Sequence, residues 1–190
     1  MTTSMEQPDP DAGGGGGRGR GGPPPRVTKD GGHNRFVWNA QTSMGLAAVP
    51  GAYQARVKAG EWSATQPFTL LIDPRVAAGG VTVADLKEQF DHTVRVRELG
   101  ARAGQLLNRV RAAMAGDAAK AAAAKGIYEQ LVNTPENVRY NKPGLQAHIQ
   151  YLAGMTSGVD QKIGRDAIER YQVLQRELDA LEAKAKAAGI

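Results

Sequence analysis

The chain of 190 residues contains no cysteine, which excludes a disulfide framework, a thiolate metal site and a cysteine nucleophile. Aromatic residues make up only 5% of it, and no run approaches the roughly 20 apolar residues that a membrane-spanning helix needs. Residues 1–17 have neither a basic segment nor an apolar one of the kind that marks an export signal, so none is expected. A large surplus of one charge is also missing from every part of the chain. The net charge is +5, yet residues 1–32 hold four basic and four acidic side chains, 33–76 four and two, and 77–190 sixteen and thirteen. No segment is a basic patch by composition.

What is abundant is concentrated at the start. Ten of the 24 glycines and five of the 10 prolines fall within residues 1–32, where few side chains could offset the entropy of ordering the backbone. This stretch is expected to be a disordered Gly/Arg/Pro-rich linker, with a flexible GGGGG portion and a short stiff PPP. About 158 residues remain to build a folded core, and they change character immediately.

Half of the ten aromatic residues lie between His33 and Val76, in three strand-like runs. Residues 34–40 (NRFVWNA) place Phe36 and Trp38 on one face by period-two alternation, and residues 51–58 (GAYQARVK) do the same with Tyr53, Ala55 and Val57. The third run is 62–72 (WSATQPFTLLI). Ala59, Gly60 and Glu61 suit a short hairpin, Pro50 and Gly51 a turn into the second strand, and Pro67 an edge or a bulge because it has no amide to donate. Asp73 and Pro74 close this region. Trp38, Tyr53, Trp62 and Phe68 are the expected anchors of the sheet.

Beyond residue 80 the pattern is helical. Thr82 and Asp85 have capping-box spacing, and Leu86, Phe90 and Val94 follow at intervals of four. Leu99, Ala103, Leu106 and Val110 continue as a heptad-like stripe, weakened by Gly100 and Gly104 unless a neighbouring helix packs close. Residues 117–132 (DAAKAAAAKGIYEQLV) either prolong this helix or form a second one after Gly116. Residues 133–135 begin a connection, and Asn141 is a candidate cap for a helix whose Leu145, Ile149 and Leu152 share a face. The last helix, 163–188, carries Tyr171, Leu174, Leu178, Leu181 and Ala185, and Gly189 stops it. Such stripes require partners, so an antiparallel bundle of three or four helices is expected, with an intermolecular coiled coil as the competitor. Leu86, Phe90, Leu106, Val110, Leu145, Ile149, Leu152, Tyr171, Leu174 and Leu178 are its expected core.

Reactive constellations are missing. His33, His92 and His148 are far apart in sequence and in no paired-ligand spacing, and are expected at the surface or its boundary. Glu88 and Asp91 read as a solvent-facing helical pair, while Glu169, Glu177, Asp179 and Glu182 alternate with Arg170, Arg176, Lys184 and Lys186 as a solvated face with local ion pairs. Residues 17–22 (GRGRGG) match a dinucleotide fingerprint formally, but no strand precedes them and three prolines follow where a helix should open. The same residues resemble a minimal RGG element, in which Arg18 and Arg20 would meet phosphates and bases. Arg139, Tyr140 and Asn141 could form a surface site, although a helix-joining turn is the plainer role. No residue is assigned a catalytic, cofactor-binding or metal-binding role.

The runs NRFVWN (34–39), AVPGAYQARV (48–57) and TQPFTLLIDPRV (65–76), followed by ADLKEQFD (84–91) and RYNKPGLQAHIQYLAGMTSGVDQKIGRDAIERY (139–171), resemble the C-terminal Ig-like and helical region of bacterial BNR-repeat, sortilin-like β-propeller proteins. Those proteins are often labelled glycosyl hydrolases. The resemblance covers about residues 18–188 and includes the Gly/Arg/Pro linker. It implies an exported, periplasmic or extracellular setting, and a propeller upstream to which any glycosidase activity would belong, so no catalytic residue carries over.

Against the pattern the resemblance implies, which has further strands before the linker and a longer segment between the WN motif and the VPG turn, the Ig-like part is incomplete, since only residues 40–49 intervene and three strands cannot close a sandwich. The expected architecture is therefore α+β. Residues 1–32 are linker, 33–76 a partial Ig-like antiparallel sheet, and 80–190 a helical bundle. The sheet either rests its apolar face on the helices or presents an exposed edge. The expected role is noncatalytic, structural or protein-interacting, with the upstream propeller or a second copy as partner. The alternatives are part of a glycoside hydrolase, a weak nucleic-acid binder through the Gly/Arg tail, or a truncated product with no role of its own.

Overall fold

The computed structural model describes residues 31–116, 118–132 and 142–190. The linker expected over 1–32 lies outside the described residues except for Gly31 and Gly32, as do the candidate cap Asn141 and the connection that begins at 133. The chain divides into two compact units, Met1–Ala48 and Val49–Ile190.

In the first unit the strand expected over 34–40 does not form. Instead Gln41 and Ala47 make an isolated antiparallel bridge. A turn closes it, with the Thr42 amide donating to the Leu46 carbonyl at 2.7 Å and the Gly45 amide to Thr42 at 2.8 Å. Trp38, expected to anchor a sheet, donates its indole N–H to the Gln41 carbonyl at 2.8 Å. Period-two alternation reports which face a segment can bury and does not by itself make a strand.

The second unit opens with a hairpin, β1 (Gly51–Ala59) and β2 (Trp62–Leu70), antiparallel in a register that pairs Tyr53 with Phe68 and Ala59 with Trp62. Its two-residue loop begins at Gly60, whose φ of 60° is the left-handed conformation such loops demand of their first residue. Because partners across the ladder point the same way, Tyr53, Ala55, Val57, Trp62, Ala64, Gln66 and Phe68 share one face, mostly apolar, and Ala52, Gln54, Arg56, Lys58, Ser63, Thr65, Pro67 and Thr69 share the other. Pro67 lies on an edge, since in a sheet of two strands both are edges.

Neither strand packs against a helix among the described elements. The sheet thus presents exposed edges and does not rest on the bundle. Tyr53 and Phe68 stack on each other with centroids 5.7 Å apart, whereas Trp62, another expected anchor, is 59% exposed.

Helices follow. Asp73 caps the short α1 (Pro74–Ala78), accepting from the Arg75 amide at 2.8 Å while Arg75 pairs with its carboxylate at 2.7 Å. These bonds hold the Asp73 carboxyl down at about 2. The next helix, α2 (Val83–Gly116), is about 50 Å long at 1.5 Å per residue. It starts on the capping box read from the sequence: the Thr82 amide donates to Asp85 at 2.9 Å and the Asp85 amide to the Thr82 hydroxyl at 3.1 Å. The Thr82 hydroxyl, donating to the Asp85 carboxylate at 2.6 Å, and next the Thr82 amide lower the Asp85 pKa, with Lys162 adding a smaller pull.

α3 (Ala118–Leu131) is a separate helix that packs back on α2, which decides between the two readings of residues 117–132. α4 (Leu145–Ser157) and α5 (Arg165–Ala187) complete the unit. α4 is antiparallel to α2, since Gln89 reaches Thr156 while Gly100 faces Ile149. α5 runs parallel to α2: Tyr171 meets His92, and Asp179 meets Arg102. α3 opposes α5, with Lys120 near Gly189 and Gln130 near Lys184. Two ascending helices are therefore bridged by two descending ones. Gly189, at φ 69°, ends α5 in a Schellman turn in which the Ile190 amide donates to Ala185 at 2.9 Å and the Gly189 amide to Lys186 at 3.1 Å.

The core is one cluster drawn from all four long helices, including Leu99, Leu106, Val110, Ile127, Leu131, Ile149, Leu174 and Leu178. Leu86, Leu145 and Leu152 are buried as expected, and Tyr171 packs against the cluster while staying half-buried. Phe90 and Val94 are only half-buried, because the inward stripe of α2 passes instead through Leu86, Gln89, Thr93, Val96 and Leu99.

Gly144 occupies the N-cap of α4, and a Cβ there would lie 2.6–2.7 Å from backbone atoms of Val132 and Leu131. Gly144→Ala should therefore cost about 1–3 kcal/mol in urea unfolding, the range for forcing atoms into a filled site. Gly104→Ala should add about 1 kcal/mol, because nothing lies within 4 Å of the new methyl and alanine is the better helix former.

Candidate functional site

The end of the bundle where α2 begins and α4 gives way to α5 is built from polar side chains. Gln89, His92, Thr93 and Thr156 are all buried, the first three on α2 with His92 and Thr93 three and four residues after Gln89. A buried amide must be paired, and Gln89 is paired on both sides. Its Nε2 donates to the Thr156 carbonyl at 2.9 Å and the Val159 carbonyl at 2.6 Å, and its Oε1 accepts the Gln161 amide at 3.2 Å. One side chain of α2 thus holds the end of α4 and the connection to α5. Thr93 and Thr156 turn their hydroxyls back to carbonyls four residues earlier, Gln89 and Leu152, both at 2.8 Å. Lys162 approaches Asp85 at 3.9 Å on the same side of α2.

His92 corrects the expectation of a surface or boundary histidine. It is 1% exposed, and neither Nδ1 nor Nε2 has a hydrogen-bond partner. Its ring meets Tyr171 of α5 edge-on, with centroids 5.9 Å apart and planes at 67°. Arg95, one turn along α2, places its guanidinium 5.8 Å from the Tyr171 ring centroid on a cation–π approach. Burial, and next the positive Arg95, push the His92 pKa below its ordinary value, with Glu88 pulling weakly the other way. His148 is half-buried and His33 exposed.

Farther up, Arg102 of α2 binds two carboxylates of α5, Asp179 at 2.5 Å and Glu182 at 2.6 Å, which raises its already high pKa. Asp179 and Glu182 therefore form ties between helices and not the local pairs expected of them. Glu169 does pair locally, with Arg165 at 2.7 Å, and Glu88 and Asp91 are exposed, Asp91 bound to Lys87 at 2.6 Å. Among the described residues no three His, Asp or Glu side chains gather where they could hold a metal ion. An open groove of about 610 Å³ between α3, α4 and α5 carries Glu129, His148, Glu177 and Lys184. Arg18, Arg20, Arg139, Tyr140 and Asn141 lie outside the described residues.

Sequence reading missed Gln89 and His92. A signal was present, because the Leu99–Ala103–Leu106–Val110 stripe extended backwards in steps of three and four reaches 96, 92 or 93, and 89. Polar residue types at those positions directed attention to the Phe90 phase instead. No family model matches the chain, and neither a curated protein nor a solved structure does.

Gln89→Leu keeps the volume but strands two carbonyls and one amide, and should cost roughly 2–4 kcal/mol in denaturant unfolding. Arg102→Ala should cost only about 1 kcal/mol, since the pair is partly exposed, and that cost should shrink as salt is raised from 0.05 to about 0.5 M.

Proposed function

We propose that the chain is a noncatalytic accessory module that docks on another protein, as the C-terminal region of a BNR-repeat, sortilin-like protein would. The hairpin supports this reading most. Val57 is 55% exposed and Trp62 59%, both on the apolar face that no helix covers, and among the described residues each strand pairs only with the other. A lone two-stranded hairpin is marginal in water, and nine-residue edges with an apolar face are what a further sheet adds to.

Size selects the kind of partner. Two strands about 4.8 Å apart, nine residues long at about 3.4 Å each, offer a face of roughly 300 Å². Two copies stacked face to face would bury roughly 600 Å², below the about 1,000 Å² that a specific interface needs. A partner that continues an edge with one sheet and covers the face with a second adds edge contacts to that area, which two copies stacked face to face do not. The propeller-bearing part of a sortilin-like protein is the partner the resemblance implies, and Arg56 and Lys58 on the polar face would stay in water.

The test is titration calorimetry of the chain against the purified propeller of a sortilin-like BNR-repeat protein. Binding at micromolar Kd or tighter is expected, weakened at least tenfold by the pair Val57→Ser and Trp62→Ser with helical circular dichroism unchanged. Absence of binding, binding indifferent to that pair, or self-association of the chain through the same residues would contradict the docking reading. Turnover of a glycoside by the chain alone would contradict the noncatalytic one.

A further inference from the structure

Three side chains of α2, spaced by four and three residues, hold one continuous segment: Asp85 meets Lys162, Gln89 holds Thr156, Val159 and Gln161, and His92 packs on Tyr171. The first two use charge or hydrogen bonds. The third is an enclosed ring contact in which two nitrogens are shut away from water and paired with nothing. A neutral imidazole there forgoes one donor and one acceptor, at moderate cost. A protonated one would add a second N–H and a full charge to the same space, which is far worse.

Among the described residues only the exposed Glu88, acting weakly, would compensate that charge. On its own helix Arg95 is positive and Glu88 is exposed. From α5 comes the uncharged Tyr171 ring, already shared with Arg95, while Arg165 and Glu169 at the start of α5 bind each other. α4 has no Asp, Glu, Lys or Arg, its titratable groups being His148 and the exposed Tyr151. On α3, Lys120 is bound to the Gly189 carbonyl and Lys125 approaches Glu129.

We propose that His92 is an acid-sensitive latch: taking up a proton, it releases the connection between α4 and α5 and the first turns of α5 from α2, while the far end of the bundle stays closed. The far end is held by uncharged packing of Leu106, Val110, Ile127, Leu131, Leu178 and Ala185, which has no proton to gain. The released segment spans the Gln89 clamp, so its carbonyls and amide become open to water or to a partner.

The sign follows from linkage. The opened state takes the proton near the ordinary histidine value of about 6.5, and the closed state only at lower pH. Closure is therefore fully favoured above about 6.5 and is lost as pH falls from there toward the closed-state value. The Asp85 carboxyl, lowered from 3.8, does not titrate in that window.

The experiment is amide hydrogen exchange of the full chain from pH 7.5 to 5, corrected for intrinsic rates. Protection over residues 159–171 should fall by up to tenfold per pH unit below about 6.5. Residues 103–110 should keep theirs, His92→Phe should flatten the dependence, and His148→Gln should leave it intact. A wild-type profile without the fall, or a fall that persists in His92→Phe, would overturn the proposal. Should His92→Phe not fold, imidazole titration by NMR in the wild-type chain decides. His92 titrating below the ordinary histidine value of about 6.5 supports the latch, and His92 titrating at or above it refutes it.

Discussion

Everything in the helical unit depends on one inward stripe of α2. At about 50 Å this helix is the longest among the described residues, and α3, α4 and α5 all pack on it. Along its upper two thirds the stripe is Val96, Leu99, Ala103, Leu106, Leu107 and Val110, which meets Ile127 and Leu131, Ile149, Leu174 and Leu178 in one cluster. The two descending helices divide the length between them, and the glycine at the cap of α4 lets its start approach the end of α3 more closely than any side chain would allow. Gly100 is different, since a methyl there would rest in ordinary contact, 3.6 Å from Ile149.

The lower third of the stripe exchanges apolar packing for paired polar groups, and that exchange gives the bundle two unlike ends. Leucines at 89, 92 and 93 would also have closed it. Gln89 instead fixes where the connection to α5 runs, because its amide satisfies backbone groups that no helix supplies. An end closed by directed bonds and one unpaired imidazole is able to respond to solution conditions, whereas an end closed by leucine is not.

The helical bundle was legible in the sequence wherever apolar residues marked the period. The stripes of α4 and α5, the Thr82–Asp85 box and the Gly189 stop all form as the spacing indicates. Legibility failed where the inward positions are polar, so that Phe90 and Val94 drew the phase of early α2 away from its true line. It failed again for residues 34–40, whose alternation is as clean as that of β1 but which form no strand. It also failed for Asp179 and Glu182, because local charge alternation cannot tell a solvated face from one that reaches Arg102 on another helix. The same strand alternation that wrote a hairpin also wrote an apolar face that this unit does not cover, and the docking proposal grows from that mismatch.

The central claim is that stability resides in the bundle and that the hairpin stands apart from it. Amide exchange of the isolated chain near neutral pH tests this most directly. The account predicts that amides of 96–110 exchange only through global unfolding, while those of 51–70 exchange orders of magnitude faster and do so equally in wild type and in Gly144→Ala. Hairpin amides protected to the same free energy as those of α2, and losing that protection together with them in the variant, would contradict it.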